Sequence, residues 1–87
     1  MTDPHATRRR RLHFRSWHRG TKEADLLVGS FSDAYLAAMT PAELDEFEHV
    51  LEIEDGYLVA WVTGQAEPPR SMDGPVFRRL LEHRYKR

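Results

Sequence analysis

Between Lys22 and Met39 the apolar residues Ala24, Leu27, Val28, Phe31, Tyr35 and Ala38 fall at i, i+3, i+4, i+7, i+11 and i+14. That spacing lines them up on one side of an α-helix and predicts a helix over 22–39 with a single buried face. Thr40-Pro41-Ala42-Glu43 follows: a hydroxyl, a proline able to take the first helical position, and a glutamate three residues after the hydroxyl. This is a capping box, and it predicts a new helix from Pro41. Leu44, Phe47, Val50 and Leu51 form its inward face, while Glu43, Asp45, Glu46, Glu48 and Glu52 face water. Asp55-Gly56 breaks that helix and caps another, with Leu58, Trp61 and Val62 on one side and Gly64 as its stop. Pro68-Pro69 forbids continuation. Asp73 is the expected cap of a last helix, with Pro75 in its first turn and Val76, Phe77, Leu80 and Leu81 inward. Arg84, Lys86 and Arg87 then sit at its negative end. Upstream, Arg8 to His18 reads as a helix with a ragged stripe of Leu12, Phe14 and Trp17, ended by Gly20 before Thr21 opens the next. No sustained alternation of β-branched residues suggests a strand.

The expectation is therefore an all-α fold, a compact bundle of about five short helices. Residues 8–87 form one domain, preceded by a flexible stretch over 1–7. At 87 residues the chain has room for a single small core. It has no cysteine, which removes disulfides, thiolate nucleophiles and thiolate metal sites, so packing alone must hold it. The longest apolar run is well short of the ~18 residues that a spanning helix needs. The opening Met1-Thr2-Asp3-Pro4-His5 lacks the basic-then-apolar order of a secretory signal, and a cytoplasmic location is expected.

Charge changes the picture more than composition does. Residues 1–22 carry seven Lys or Arg against Asp3; residues 23–67 carry eleven acids and no Lys or Arg; residues 68–87 carry six Lys or Arg against two acids. The net charge is only -1. A compact fold can neutralise the acidic middle with the basic ends, or leave two faces of opposite sign.

Candidate chemistry is sparse. His5, His13, His18, His49 and His83 are scattered, and His13 and His18 are five apart, off the i, i+4 spacing that lets two imidazoles share an ion, so no metal site is expected. Ser16, Ser30, Ser32 and Ser71 lie in no nucleophile motif, and so small a domain struggles to enclose a substrate, so no catalytic residues are expected either. Arg8-Arg9-Arg10-Arg11 with Phe14, Arg15, Trp17 and Arg19 is basic with interleaved aromatics, which suggests a nucleic-acid or regulatory adaptor as the alternative function. A sequence pI near 6.5 and the acidic middle work against phosphate binding.

The informative segment is Arg19-Gly20-Thr21-Lys22-Glu23-Ala24-Asp25. As helix punctuation, Gly20 closes one helix, Thr21 caps the next, and Glu23 and Asp25 suit the positive end of its dipole. As a docking surface, the bend would hold Arg19 and Glu23 outward at a rigid corner, with Trp17 and His18 beside them. Composition and spacing support both readings equally.

The run from Arg15 to Phe31, with Arg19, Gly20 and Glu23 as an Arg-Gly-x-x-Glu motif, resembles the signature of the succinate dehydrogenase assembly factors of the SdhE type. Leu58-Val59-Ala60-Trp61 followed by Gly64 resembles the same family's acidic loop leading into a helix with a buried tryptophan, and the likeness extends from about Arg10 to about Leu81. Two departures concern that loop: Asp55-Gly56-Tyr57 stands where the family has an Asp-Pro-Asp turn, and Val59 where an aromatic is frequent. The resemblance implies a five-helix bundle that binds the flavoprotein subunit of succinate dehydrogenase, and often of fumarate reductase, and promotes covalent attachment of FAD to a histidine of that subunit. It implies that Arg19, Gly20 and Glu23 dock the partner, with His18, Asp25 and Trp17 as neighbours, and that FAD belongs to the flavoprotein. The chain itself has no Gly-rich phosphate loop of the dinucleotide-binding kind.

Overall fold

A computed structural model describes residues 3–83. Helix α1 spans Ala6–Trp17, α2 Lys22–Tyr35, α3 Pro41–Val50, α4 Asp55–Val62 and α5 Pro75–Glu82, with one 3-10 turn over Leu36–Ala38. Among the described residues there is no strand. Helix α1 packs along α2, α3 along α5, and α4 joins the two pairs through contacts with α2 and α5. Arg84, Lys86 and Arg87, read from the sequence as the basic end of the last helix, lie outside the described residues.

The stripes that define the helices build the core. Leu12 from α1, Val28 and Phe31 from α2, Leu44, Phe47 and Val50 from α3, Leu58 from α4, and Val76, Phe77 and Leu80 from α5 are each at most 1% exposed. The capping box forms as read: Thr40 Oγ1 accepts from Glu43 N at 3.2 Å, and Glu43 Oε1 accepts from Thr40 N at 2.9 Å. The hydrogen bond from the Thr40 backbone holds the Glu43 carboxyl below the usual carboxylate range. Replacing Thr40 by Ala should cost about 1 kcal/mol, the usual size of a lost hydroxyl cap, measurable as a lower melting temperature with unchanged helical circular dichroism.

Four expectations are corrected. Helix α2 ends at Tyr35, not near Met39, because Pro41 forces Thr40 into an extended conformation and the chain tightens through a 3-10 turn to reach it. Ala38 is thereby turned to solvent while Met39 is buried. Phe14 is 61% exposed rather than part of the α1 stripe: two positions from Leu12 it points away from the core, and Ser16, one turn after Leu12, is buried instead, its hydroxyl donating to Leu12 O at 2.7 Å. Asp55 and Asp73 cap nothing. The N-cap residues are Glu54 and Gly74, neither with a side-chain cap bond. The two aspartates are instead drawn to guanidinium groups, those of Arg19 and Arg78. At α5 the cap comes from another helix, with Phe77 N donating to Glu46 Oε2 at 2.8 Å.

The basic ends and acidic middle do meet across the fold. Arg8 contacts Asp45 at 2.6 Å and Glu48 at 2.8 Å, holding Glu48 below the usual carboxylate range, and Arg79 lies 3.6 Å from Glu43.

Candidate functional site

The corner between α1 and α2 is built from opposing local preferences. After Trp17 the chain leaves the helix, and Gly20 takes φ +119°, a conformation that side-chain-bearing residues rarely adopt. Thr21 then turns extended (φ -128°, ψ 149°) and its hydroxyl accepts from Ala24 N at 3.2 Å, starting α2. Asp25, one turn into α2, reaches back to accept from Arg19 N at 2.6 Å. The bend is thus tied on both sides of Gly20.

Arg19 does not face outward. Its side chain is 7% exposed, and Nε donates to Asp55 Oδ1 at 2.8 Å while Nη1 and Nη2 donate to the carbonyls of Leu51 and Ile53. This corrects the reading of an outward pair. The cause lies at the end of α3, where carbonyls without partners inside the helix gather at the negative end of its dipole. A planar fork with five donors satisfies two of those carbonyls and one carboxylate together, which an exposed guanidinium could not match. Arg19 is therefore a bolt that fastens the corner to the α3–α4 connection.

The remaining residues singled out from the sequence divide. Gly20 and Glu23 are exposed, as are Thr21 and Lys22 between them. His18 is exposed and stacks on Phe14, ring centroids 3.8 Å apart and planes 13° from parallel, with Nδ1 donating to Phe14 O at 2.6 Å. Trp17 is half-buried over Gly29 of α2, and its Nε1 donates to Asp33 Oδ1 at 3.3 Å. Asp25 acts on the backbone of the corner. The structure therefore brings Gly20, Glu23 and His18 to the surface around a fixed bend and places Arg19 and Asp25 beneath it.

Beside the buried guanidinium runs an open cleft of about 330 Å³, lined by Arg15, His18 and Arg19 from one side and Leu51, Ile53, Glu54 and Asp55 from the other. Sequence reading missed Asp55 as the partner of Arg19, since 36 residues separate them; the surplus of acids around position 55 was the one signal available. It missed Asp33 altogether: His13 Nε2 lies 2.7 Å from the same oxygen that Trp17 meets, and nothing local marks that convergence. Among the described residues no group of three or more His, Asp or Glu is placed to hold a metal ion.

Residues 10–84 match the family described as flavinator of succinate dehydrogenase. The FAD assembly factor SdhE of Acetobacter pasteurianus is 44% identical over 77 residues, covering 88% of this chain and 71% of its own length. The mitochondrial succinate dehydrogenase assembly factor 2 of Scheffersomyces stipitis is 34% identical over 79 residues, covering 86% of this chain and 53% of its own length. The protein of the same name from Arabidopsis thaliana is 36% identical over 73 residues, covering 83% and 39%. The chain thus spans about half or less of these two mitochondrial relatives. With the family match running across four of its five helices in full and most of the first, the chain belongs to the flavinator of succinate dehydrogenase family.

Proposed function

We propose that this protein is a non-catalytic assembly chaperone that binds the flavoprotein subunit of succinate dehydrogenase, and also of fumarate reductase, and promotes covalent attachment of FAD to it. The observation that supports this best is the corner itself: an exposed Gly20-to-Glu23 face on a bend tied down by Arg19 and Asp25 from below. A rigid surface loses little freedom when it docks, so its affinity can be spent on discriminating between conformations of the partner. A chaperone needs only to bind more tightly the arrangement in which the acceptor histidine and the flavin lie within reach. FAD and the acceptor histidine are both supplied by the flavoprotein on this reading, and the setting is cytoplasmic. Glu23 and Gly20 contact the partner, His18 and Trp17 flank them, and Arg19 and Asp25 keep the bend in shape.

The basic-helix alternative loses support, because two of its four arginines are engaged within the fold: Arg8 with Asp45 and Glu48, Arg9 with Asp3 and Leu36 O.

Glu23→Ala is the clean test. Glu23 is an exposed side chain, and its loss should leave stability within about 0.5 kcal/mol of the original. In cells lacking the native protein, this variant should fail to restore covalent flavin on the dehydrogenase subunit, scored by in-gel flavin fluorescence. Full restoration by Glu23→Ala would remove the corner from the docking surface.

A further inference from the structure

Along the outer side of the α1–α2 pair runs an open groove of about 770 Å³ whose apolar floor is made by Phe14, Trp17, Leu36 and Ala37. Phe14, at 61% exposed, is one of two large hydrophobic side chains left open to solvent among the described residues, and it forms one wall. Ser32 lines the groove from α2, is 2% exposed, and its hydroxyl has no hydrogen-bond partner. A solvated aromatic beside an apolar floor is unfavourable in a free protein and points to a surface that is covered in use.

Charge indicates by what. Most polar groups in the groove are already engaged: Arg9 with Asp3 and the Leu36 carbonyl, and Asp33 with His13 Nε2 and Trp17 Nε1. Arg10 is exposed and donates only to Thr7 Oγ1, at 3.3 Å, so among the described residues no carboxylate answers it. The groove therefore offers an aromatic floor with one uncompensated guanidinium a helical turn away. Arg10 and Phe14 stand four residues apart on α1, about 6 Å along its axis.

We propose that this groove is a second docking site for the flavoprotein subunit, one that receives an acidic, apolar segment of that partner. The proposal rests on the reading of the chain as a flavoprotein chaperone. The segment carries one bulky apolar side chain for the floor and an Asp or Glu for Arg10. Their spacing is about two residues if the segment is extended, or three to four if it is helical. A nucleic acid fits less well, since phosphate binding needs several unmatched cations and the groove presents one. A second copy of this chain seated by its own exposed Tyr57 would join unlike surfaces, an arrangement that gives a ring or an open filament rather than a two-fold dimer.

The test is equilibrium binding of the full chain to the purified flavoprotein subunit, using Phe14→Ala and Arg10→Glu, with Arg70→Glu as an exposed basic control outside the groove. Both groove side chains are exposed, so folding should survive; unchanged helical circular dichroism and melting temperature check that. Each groove variant should weaken binding about tenfold or more, as expected for an aromatic anchor and its charged neighbour, while Arg70→Glu stays near the original. If the unaltered protein binds and both groove variants bind equally well, the groove proposal is overturned and the corner stands. If the unaltered protein does not bind, the chaperone reading fails and this one with it. Loss of self-association in the groove variants, with flavoprotein binding intact, would assign the groove to a second copy. Loss of duplex DNA retention, again with flavoprotein binding intact, would assign it to nucleic acid. Either result overturns the proposal.

Discussion

Arg19→Ala should unfold the corner rather than trim a contact. The substitution leaves the Asp55 carboxylate without its partner and strips donors from the Leu51 and Ile53 carbonyls at the end of α3. Removing one member of a largely buried, hydrogen-bonded ion pair costs about 3–5 kcal/mol, a large share of what a domain this small has. The melting temperature should fall by roughly 15–30 °C, given that each kcal/mol shifts a domain of this size by several degrees. Arg19→Lys should recover only part of the loss, because a single ammonium cannot address a carboxylate and two carbonyls as a fork does. Covalent flavin should be lost in step with folding, whereas Glu23→Ala should separate the two. An Arg19→Ala protein that melts with the original would show that the guanidinium contributes little to the corner.

The second large effect is expected at Gly29. A Cβ added there would lie 2.3 Å from the Trp17 ring, closer than any real contact, and the obstacle is a rigid indole. Gly29→Ala should therefore force the indole out or push α1 away from α2, with a cost of about 1–3 kcal/mol from overpacking. Alanine's better helix propensity, about 1 kcal/mol, offsets part of it. Thermal melting measures the net cost, and a red-shifted tryptophan emission would report the exposed ring. In a Trp17→Ala background the same glycine change should cost little or even stabilise, because the obstacle has gone. Additive costs in the double variant would mean that the close approach of ring and backbone is not what the glycine permits.

Much of the bundle was legible because its signals are local. The α3 start was written in Thr40, Pro41 and Glu43, three residues that must meet if a helix begins there at all, and they do meet. The stripe from Ala24 to Phe31 could be read the same way, since residues three and four apart share a helix face whatever lies opposite. Phe14 shows where such reading fails: an aromatic near a stripe looks like core, but only the partner helix decides which side is covered. Asp55 and Asp73 fail for a related reason. An aspartate before a helix is a good cap until a guanidinium offers a charge-assisted bond, and the choice between them depends on what the fold brings near.

From sequence alone came the five helices, their order, most of their boundaries, and the motif that marks the α1–α2 bend. These follow from interactions within about four residues, where spacing in the chain is spacing in space. Tertiary packing decided the side chains' tasks: it sent Arg19 inward to the carbonyls after α3, left Glu23 in water, capped α5 with Glu46, and opened the Phe14 groove. A long polar side chain goes where acceptors lack partners, and which acceptors those are is known only once distant helix ends have been brought together.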